Sequence, residues 1–298
     1  MSRREQFLEA LGLMPEWLPR ARGAHTVEPS DSAASGEAKS AATAEAAEIV
    51  TIPDPAAASG ALRDAQPSHV GIADPSAPEY RVAEPQPQMV SEPLETSPGL
   101  AMRAATIAAL DWEPLARHAA DCQACALCER RTQAVFGVGD RQAEWMFIGE
   151  GPGEQEDLQG EPFVGQSGKL LDNMLFALGV SRQKNVYIAN TVKCRPPGNR
   201  DPQPAETEAC EPYLQRQIAL LRPRLIVVLG KVAAHRLLRT EVPVSRLRGQ
   251  VHDYAGIPVV VTYHPSYLLR APNEKAKAWD DLCLARAVYE RSPSARPA

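Results

Sequence analysis

The sequence lacks any run of about 18 apolar residues, the length that a membrane-spanning helix requires. It opens with Met-Ser-Arg-Arg-Glu and lacks the continuous apolar core that follows in a secretion signal. The first absence excludes a membrane-spanning helix, and the second argues against export. We therefore expect no membrane partner and a cytoplasmic location.

Aliphatic residues are scarce in the first third of the chain after Leu18, whereas proline is abundant. Residues 1–102 hold 12 of the 27 prolines, together with Ala/Ser runs such as Ala56–Gly60. Such a segment cannot bury enough apolar surface to offset the entropy of ordering it. We predict a short N-terminal helix over 1–23, a long disordered Ala/Pro-rich linker over 24–102 and a folded domain over 103–298.

Apolar residues in the N-terminal segment recur at roughly helical spacing, at Phe7, Leu8, Leu11, Leu13 and Leu18. Isolated short helices are marginal in water. Two interpretations stay open: a helix that frays, or a docking peptide for a protein partner that the linker tethers to the domain.

Charge divides the chain at the same place. Residues 1–102 carry 7 basic and 15 acidic residues, a net charge of −8, whereas residues 103–298 carry 25 basic and 22 acidic, a net charge of +3. A mildly basic folded part permits phosphate binding without demonstrating it.

Beyond residue 120 the chain alternates apolar runs with helical patterns. Four runs have the character of strands: Trp145–Ile148, Val186–Asn190, Leu225–Leu229 and Val259–Tyr263. Three helical patterns lie between these runs, Leu170–Leu178, Glu206–Leu221 and Val232–Leu238, and a further one, Arg103–Ala120, precedes the cysteines. This alternation predicts an α/β fold with a four-stranded parallel sheet covered on both faces. Ligands of such sheets bind beyond the carboxyl ends of the strands.

A glycine-rich segment, Gly149–Asp157, follows the first of these strands and precedes Pro162–Gly165. Glycines at a strand end let backbone N–H groups approach a ligand. The segment is not a P-loop, because Phe163 stands where the first glycine is needed and Leu170 follows Lys169. It also lacks the GxGxxG pattern of dinucleotide sites. A tight turn before an acidic helix start remains the alternative.

Two polar residues follow later strands. Asn190 is either a cap or a reader of a base edge, because its carboxamide offers a donor and an acceptor side by side. That pair matches uracil N3–H and O4 and mismatches cytosine. His264 is either a satisfied core histidine or a ligand contact held by the turn at Pro265, with Ser266 capping the next helix.

The six cysteines are unevenly clustered, which favours a metal or cluster site over disulfides in a protein without an export signal. The spacing Cys122-x2-Cys125, 68 residues, Cys194, 15 residues, Cys210 suits zinc or an iron–sulfur cluster equally. On a ferredoxin-like interpretation Cys128 is a ligand instead. We expect Cys283 to be an ordinary buried thiol on an amphipathic C-terminal helix.

Taken together, these motifs resemble the family 4 uracil-DNA glycosylases over residues 118–290. The motifs are GEGPGxxED, PFVG, NxxKCRPP and HPSYLLR, in order and with the cysteine spacing above. The resemblance implies a three-layer α/β/α sandwich and a [4Fe-4S] cluster held by Cys122, Cys125, Cys194 and Cys210. Cys128 lies outside that cluster motif. It also implies an enzyme that acts on uracil-containing DNA and leaves an abasic site for base excision repair. We expect a monomer that is associated with the nucleoid when it acts.

The resemblance further implies roles for individual residues. Phe163 stacks on the flipped base, Asn190 reads its edge, and Glu156 lies against uracil C5 to exclude thymine. His264 bonds O2, and the backbone of Glu150 and Gly151 lines the pocket near the sugar.

In the best-known uracil glycosylases an Asp that positions water stands where Gly151 is here, so Glu150 is only a candidate general base. The segment Val242–Gly249 lacks the basic, histidine-containing insert of a covalently trapping relative, so we expect turnover. Tyr267, Leu268 and Leu269 suit a wedge in DNA with Arg270 on a phosphate, although the leucines could instead pack the helix. A non-catalytic binding module and an electron-transfer iron–sulfur protein remain competing hypotheses.

Overall fold

The computed structural model describes residues 98–292, in which six strands form one mixed sheet. The strands are β1 Val138–Gly139, β2 Trp145–Gly149, β3 Val186–Asn190, β4 Leu225–Leu229, β5 Val251–Tyr254 and β6 Ile257–Thr262. The helices are α1 Pro98–Ala109, α2 Trp112–Ala120, α3 Glu154–Gln159, α4 Gln166–Leu178, α5 Pro204–Leu221, α6 Lys231–Leu238, α7 Val244–Leu247, α8 Pro265–Arg270 and α9 Lys275–Arg291. Short 3-10 turns span Ala126–Glu129, Pro197–Asn199 and Pro272–Glu274. The predicted N-terminal helix and nearly all of the linker lie outside the described residues.

The strand order is β1-β3-β2-β4-β6-β5. The four predicted strands form the parallel centre, β3-β2-β4-β6, whereas β1 and β5 pair antiparallel at the two edges. The prediction of a purely four-stranded parallel sheet was therefore incomplete. The two edge strands were not predicted, because β1 has only two residues and β5, Val-His-Asp-Tyr, has no buried position.

Helices cover both faces of the sheet, as the alternation of apolar runs predicted. Trp145 and Phe147 of β2 point to one core cluster together with residues of α4 and α9. Met146 and Ile148 point to a second cluster with residues of α5 and α6. All four are at most 2% exposed, so truncation of a side chain such as Phe147 would cost about 3–5 kcal/mol.

A third core cluster lies beside the sheet and joins α1 and α2 to the cysteine-bearing loop and α5. The helical pattern predicted over Arg103–Ala120 is two helices, and the first of them begins at Pro98. No helix among residues 98–292 is long and apolar enough to cross a membrane.

The C-terminal helix forms as expected, but the burial predicted for Cys283 was wrong, because that thiol is exposed. Helix α9 buries a stripe that includes Asp281, Leu282, Ala285 and Val288. A rotation of about 100° per residue, from 3.6 residues per turn, places Cys283 on the opposite side of the helix.

Candidate functional site

A cleft of about 820 Å³ lies at the carboxyl ends of the parallel strands. Each central strand contributes residues at or just beyond its end: Glu150 after β2, Asn190 in β3, Gly230 after β4 and His264 after β6. Register brings them together, because Gly149 pairs with Asn190 and Leu229 with Thr262 across neighbouring strands. The predicted residues that line this cleft are Glu150, Gly151, Glu156, Phe163, Asn190, His264, Tyr267, Leu269 and Arg270.

Asn190 presents an unused acceptor to the cleft. Its side chain is 2% exposed, and its Oδ1 has no hydrogen-bond partner within residues 98–292. A buried carboxamide oxygen without a partner is unusual and costly, so it points to a ligand donor. Gly149 leaves room for it, since a Cβ there would lie 2.5 Å from Oδ1 of Asn190.

Phe163 is held against the floor of the cleft in a strained conformation. Its φ is +56°, in the left-handed region that bulky residues rarely adopt. Arg182 donates to the carbonyls of Pro162 (2.6 Å) and Phe163 and so fixes this turn. Gly168 permits it, because a Cβ there would lie 1.7 Å from the Phe163 carbonyl oxygen. Sequence reasoning missed Arg182, which no motif marks.

His264 faces the Phe163 ring, with ring centroids 5.4 Å apart. It caps α8, where the Ser266 backbone N–H donates to its Nδ1 at 3.2 Å. Burial lowers the pKa of His264 to about 4; the Arg270 charge acts in the same direction and Glu156 opposes it. The imidazole is therefore neutral at pH 7. Because Nδ1 accepts, we assign the proton to Nε2, which leaves Nε2–H as a donor for a ligand.

Glu156 organises the loop that carries Phe163. Its Oε1 accepts from the backbone N–H groups of Val164 and Gly165, each at 2.9 Å, and its Oε2 accepts from Gly153 at 3.1 Å. The last bond completes the capping box of α3. Glu156 is 8% exposed, and its carboxylate joins the glycine-rich turn to the segment that follows Phe163.

Glu150 lies at the rim of the cleft beside a residue that sequence reasoning missed. Burial raises the pKa of Glu150 to about 7, helped by the charge of Asp201 and a hydrogen bond to it, while Lys231 acts in the opposite sense. Asp201 belongs to the loop between Cys194 and Cys210, which also lines the cleft. The sequence did not predict this position, because it depends on the path of that loop. The run RPPGNRD, which ends at Asp201, was the only sequence feature that could have indicated it.

The mouth of the cleft is formed by α8. Tyr267 is 39% and Leu269 is 44% exposed, and Arg270 is exposed beside them. Leu268, placed against DNA in the sequence analysis, is 1% exposed, belongs to the core and does not line the cleft. This burial favours the alternative that Leu268 packs the helix against the sheet.

A separate, smaller pocket gathers five cysteines, namely Cys122, Cys125, Cys128, Cys194 and Cys210. Three N–H groups donate to their sulfurs: Arg131 to Cys194 at 3.0 Å, Arg103 to Cys122 at 3.4 Å, and the backbone of Lys193 to Cys210 at 3.3 Å. All six cysteines of the chain are free thiols.

The chemistry of this pocket suits an anionic thiolate centre. No carboxylate or imidazole lines it within residues 98–292, and Arg131 and Lys193 bring positive charge. Burial raises the pKa of Cys194 and brings that of Cys210 to about 12, so these groups need a metal to be thiolates. In the same residues no group of three or more His, Cys, Asp or Glu side chains has the arrangement that holds a single metal ion.

Comparisons with known proteins give the family of the chain. The model of the uracil-DNA glycosylase superfamily matches residues 136–283. A type-4 uracil-DNA glycosylase of Archaeoglobus fulgidus is 44% identical over 168 residues, covering 54% of this chain and 84% of that protein. The type-4 enzyme of Thermotoga maritima is 46% identical (50% of this chain, 78% of that protein), and that of Saccharolobus solfataricus is 44% identical (58% and 83%). The chain therefore belongs to the type-4 uracil-DNA glycosylases.

Proposed function

We propose that this protein is a uracil-DNA glycosylase, which hydrolyses the N-glycosidic bond of uracil in DNA and leaves an abasic site for base excision repair. One observation carries the proposal: the buried, unpaired Oδ1 of Asn190 faces the same cleft as a neutral His264. Oδ1 accepts from uracil N3–H while the amide Nδ2 donates to O4. Cytosine presents the opposite pattern at these positions, so it is rejected.

The target base must leave the duplex to enter this cleft, at a cost of about a few kcal/mol. Phe163 stacks on the extruded base, and its strained turn keeps the ring in place before the base arrives. Glu156 lies beside uracil C5 and excludes the methyl group of thymine. The backbone of Glu150 and Gly151 lines the sugar side of the cleft.

Cleavage breaks the bond between C1′ of the sugar and N1 of uracil, and the electron pair leaves with the base. Negative charge develops on O2, where the Nε2–H of His264 donates a hydrogen bond and stabilises it. A neutral histidine fits this role: Ser266 donates to Nδ1, which leaves the proton on Nε2 and orients it before the base binds. A water oxygen then bonds C1′. Glu150, whose pKa lies near neutrality beside Asp201, is the group that accepts the proton of that water.

We also propose that Cys122, Cys125, Cys194 and Cys210 hold a [4Fe-4S] cluster. Such a cluster would join the loop after α2 to the segment after β3 and to α5. Its role would be structural, because hydrolysis transfers no electrons. The cationic donors around the sulfurs, Arg103 and Arg131, offset the negative charge of thiolate ligands. Cys128 lines the same pocket but stands outside the ligand set implied by the resemblance.

DNA lies across the mouth of the cleft in this proposal. Tyr267 and Leu269 are exposed beside the site, and Arg270 is available for a phosphate. The enzyme acts as a monomer at the nucleoid. The N-terminal helix, which lies outside the described residues, binds a protein partner in this proposal.

The decisive experiment incubates the purified full-length chain with oligonucleotides that carry one uracil, then cleaves abasic sites with alkali. We expect strand breaks at uracil only, with identical oligonucleotides carrying thymine or cytosine as controls. Binding without breaks would instead support a non-catalytic module. Activity that disappears and returns with the redox state of the metal centre would favour an electron-transfer role.

A further inference from the structure

Lys193 is a fully buried lysine with only neutral acceptors. It is 1% exposed, and its Nζ donates to the backbone carbonyl of Asn190 at 2.8 Å and to Oε1 of Gln217 at 2.7 Å. Within residues 98–292 it forms no ion pair with a carboxylate. Burial of an ammonium group costs free energy, so we infer that Lys193 has a role in addition to packing.

The first acceptor of the Lys193 ammonium is the backbone carbonyl of Asn190, the residue proposed to read the base. The carbonyl of Asn190 ends β3, and the side chain of the same residue holds the unpaired Oδ1 in the cleft. A hydrogen bond to that carbonyl fixes the backbone of Asn190 at the end of β3. It thereby fixes the point from which the carboxamide reaches into the cleft.

The acceptor on the other side anchors Lys193 to the framework. Gln217 is fully buried in α5, and its Nε2 donates to the carbonyl of Phe136 at 2.9 Å and lies 3.3 Å from the Tyr187 hydroxyl. The backbone of Lys193 is also fixed, since its carbonyl accepts from Val135 at 2.7 Å. Lys193 is thus tied to three separate parts of the fold, through its ammonium to Asn190 and Gln217 and through its carbonyl to Val135.

We propose that Lys193 is a positioning residue for base recognition: held by Gln217, its ammonium fixes the carbonyl of Asn190 and so orients the carboxamide that reads uracil. This role rests on the proposed function. It also gives a physical link between the two sites, because Lys193 directly precedes Cys194 and its backbone N–H donates to Cys210.

The test is a double-mutant cycle on the cluster-loaded, full-length protein. Lys193→Met gives an unbranched side chain that is one atom shorter and lacks the ammonium donors. Single-turnover excision of uracil is measured with and without Asn190→Ala. We expect Lys193→Met alone to slow excision by about tenfold or more. In the Asn190→Ala background the same change should slow it by less than about twofold, because neighbours that act through one group are not additive.

Iron content per chain and melting temperature are measured for every variant. The matched control is Thr207→Val, which removes a buried hydroxyl of α5 whose hydrogen bonds go to the carbonyls of Gln203 and Pro204. It should leave excision unchanged. If Lys193→Met fails to fold or retain iron, Gln217→Leu removes the anchor while the lysine stays, and the cycle is repeated with that change.

Equal slowing in both backgrounds would overturn the role of Lys193 and assign it to general stability. Wild-type protein that releases no uracil at all would overturn the proposed function, and the role of Lys193 with it. Active wild-type protein with additive variants overturns only the role of Lys193, so the two failures are distinguishable.

Discussion

The cleft and the cysteine pocket both join distant segments, but they hold their side chains by different means. In the cleft, Asn190 and His264 are uncharged and stand at strand ends. Asn190 ends β3 in register with Gly149, and His264, which follows β6, contacts the backbone N–H and the hydroxyl of Ser266. In the cysteine pocket, the thiols come from loops and from α5, and Arg103, Arg131 and Lys193 contribute cations around them. One site is fixed by the sheet, whereas the other depends on charge balance.

This difference indicates which site needs its ligand. The donors and acceptors of the cleft are set before any base arrives, and preorganised dipoles of this kind need no reorganisation during the reaction. The cations of the cysteine pocket instead repel one another until anionic thiolates balance them. We therefore expect the cleft to keep its geometry without a base and the pocket to lose its structure without metal.

Cys194→Ser tests the pocket side of this comparison and should have the largest effect. Removing one of the four proposed ligands should release iron, bleach the visible absorbance and lower the yield of folded protein, because metal binding is coupled to folding. The measurements are iron per chain, about four for the wild type on this assignment, and soluble yield. Cys283→Ser is the matched control, since that thiol is exposed and should change neither quantity. Stoichiometric zinc without iron after anaerobic purification would contradict the assignment.

Asn190→Asp tests the cleft side. The change preserves shape but removes the amide donor to O4, so the barrier for uracil excision should rise by about 2–4 kcal/mol. Iron content should stay at the wild-type level, which separates the two sites. Single-turnover rates on a uracil oligonucleotide measure the effect, and Asn173→Asp on the exposed face of α4 is the control. An unchanged rate would remove Asn190 from base recognition.

The ends of the apolar strands were predictable from the sequence, and the cleft follows from them. Asn190 and His264 were placed correctly because parallel strands end at one edge of a sheet, wherever the connecting helices go. Asp201 and Arg182 could not be placed the same way, since their positions depend on loops whose path is set by tertiary contacts. The burial of Leu268 and the exposure of Cys283 were not predicted either, because they depend on how each helix is rotated about its own axis.

The next prediction concerns the rim of the cleft, where burial and Asp201 raise the pKa of Glu150 to about 7. A base must be ionised to accept a proton, so excision should increase as pH rises through 7. Glu150→Gln should lower the rate and abolish this inflection. Asp201→Asn removes the neighbouring negative charge and should shift the inflection to lower pH.

Stability should change in the opposite direction with pH. The folded-state pKa of Glu150 lies above the ordinary value of 4.5, so the folded chain keeps a proton that the unfolded chain releases. This contribution is present at low pH and is lost as pH rises toward and through 7. The melting temperature of the wild type relative to Glu150→Gln should therefore fall between pH 5 and pH 8. A constant difference would show that Glu150 titrates alike in both states.

The smallest effect is expected at the mouth, where neighbouring leucines of α8 separate two roles. Leu269 is 44% exposed beside the cleft, whereas Leu268 is 1% exposed in the core. If Leu269 fills the gap left by a flipped base, Leu269→Ala should slow excision a few-fold, most from U·A pairs, less from U·G and least from single strands, because a wedge matters most when the base is paired and stacked. Leu268→Ala should instead cost about 2–5 kcal/mol of stability and affect the three substrates alike. Single-turnover rates on the three substrates, with melting temperatures, decide the matter: equal slowing of all three by Leu269→Ala would reject the wedge, since packing defects do not depend on how the uracil is paired.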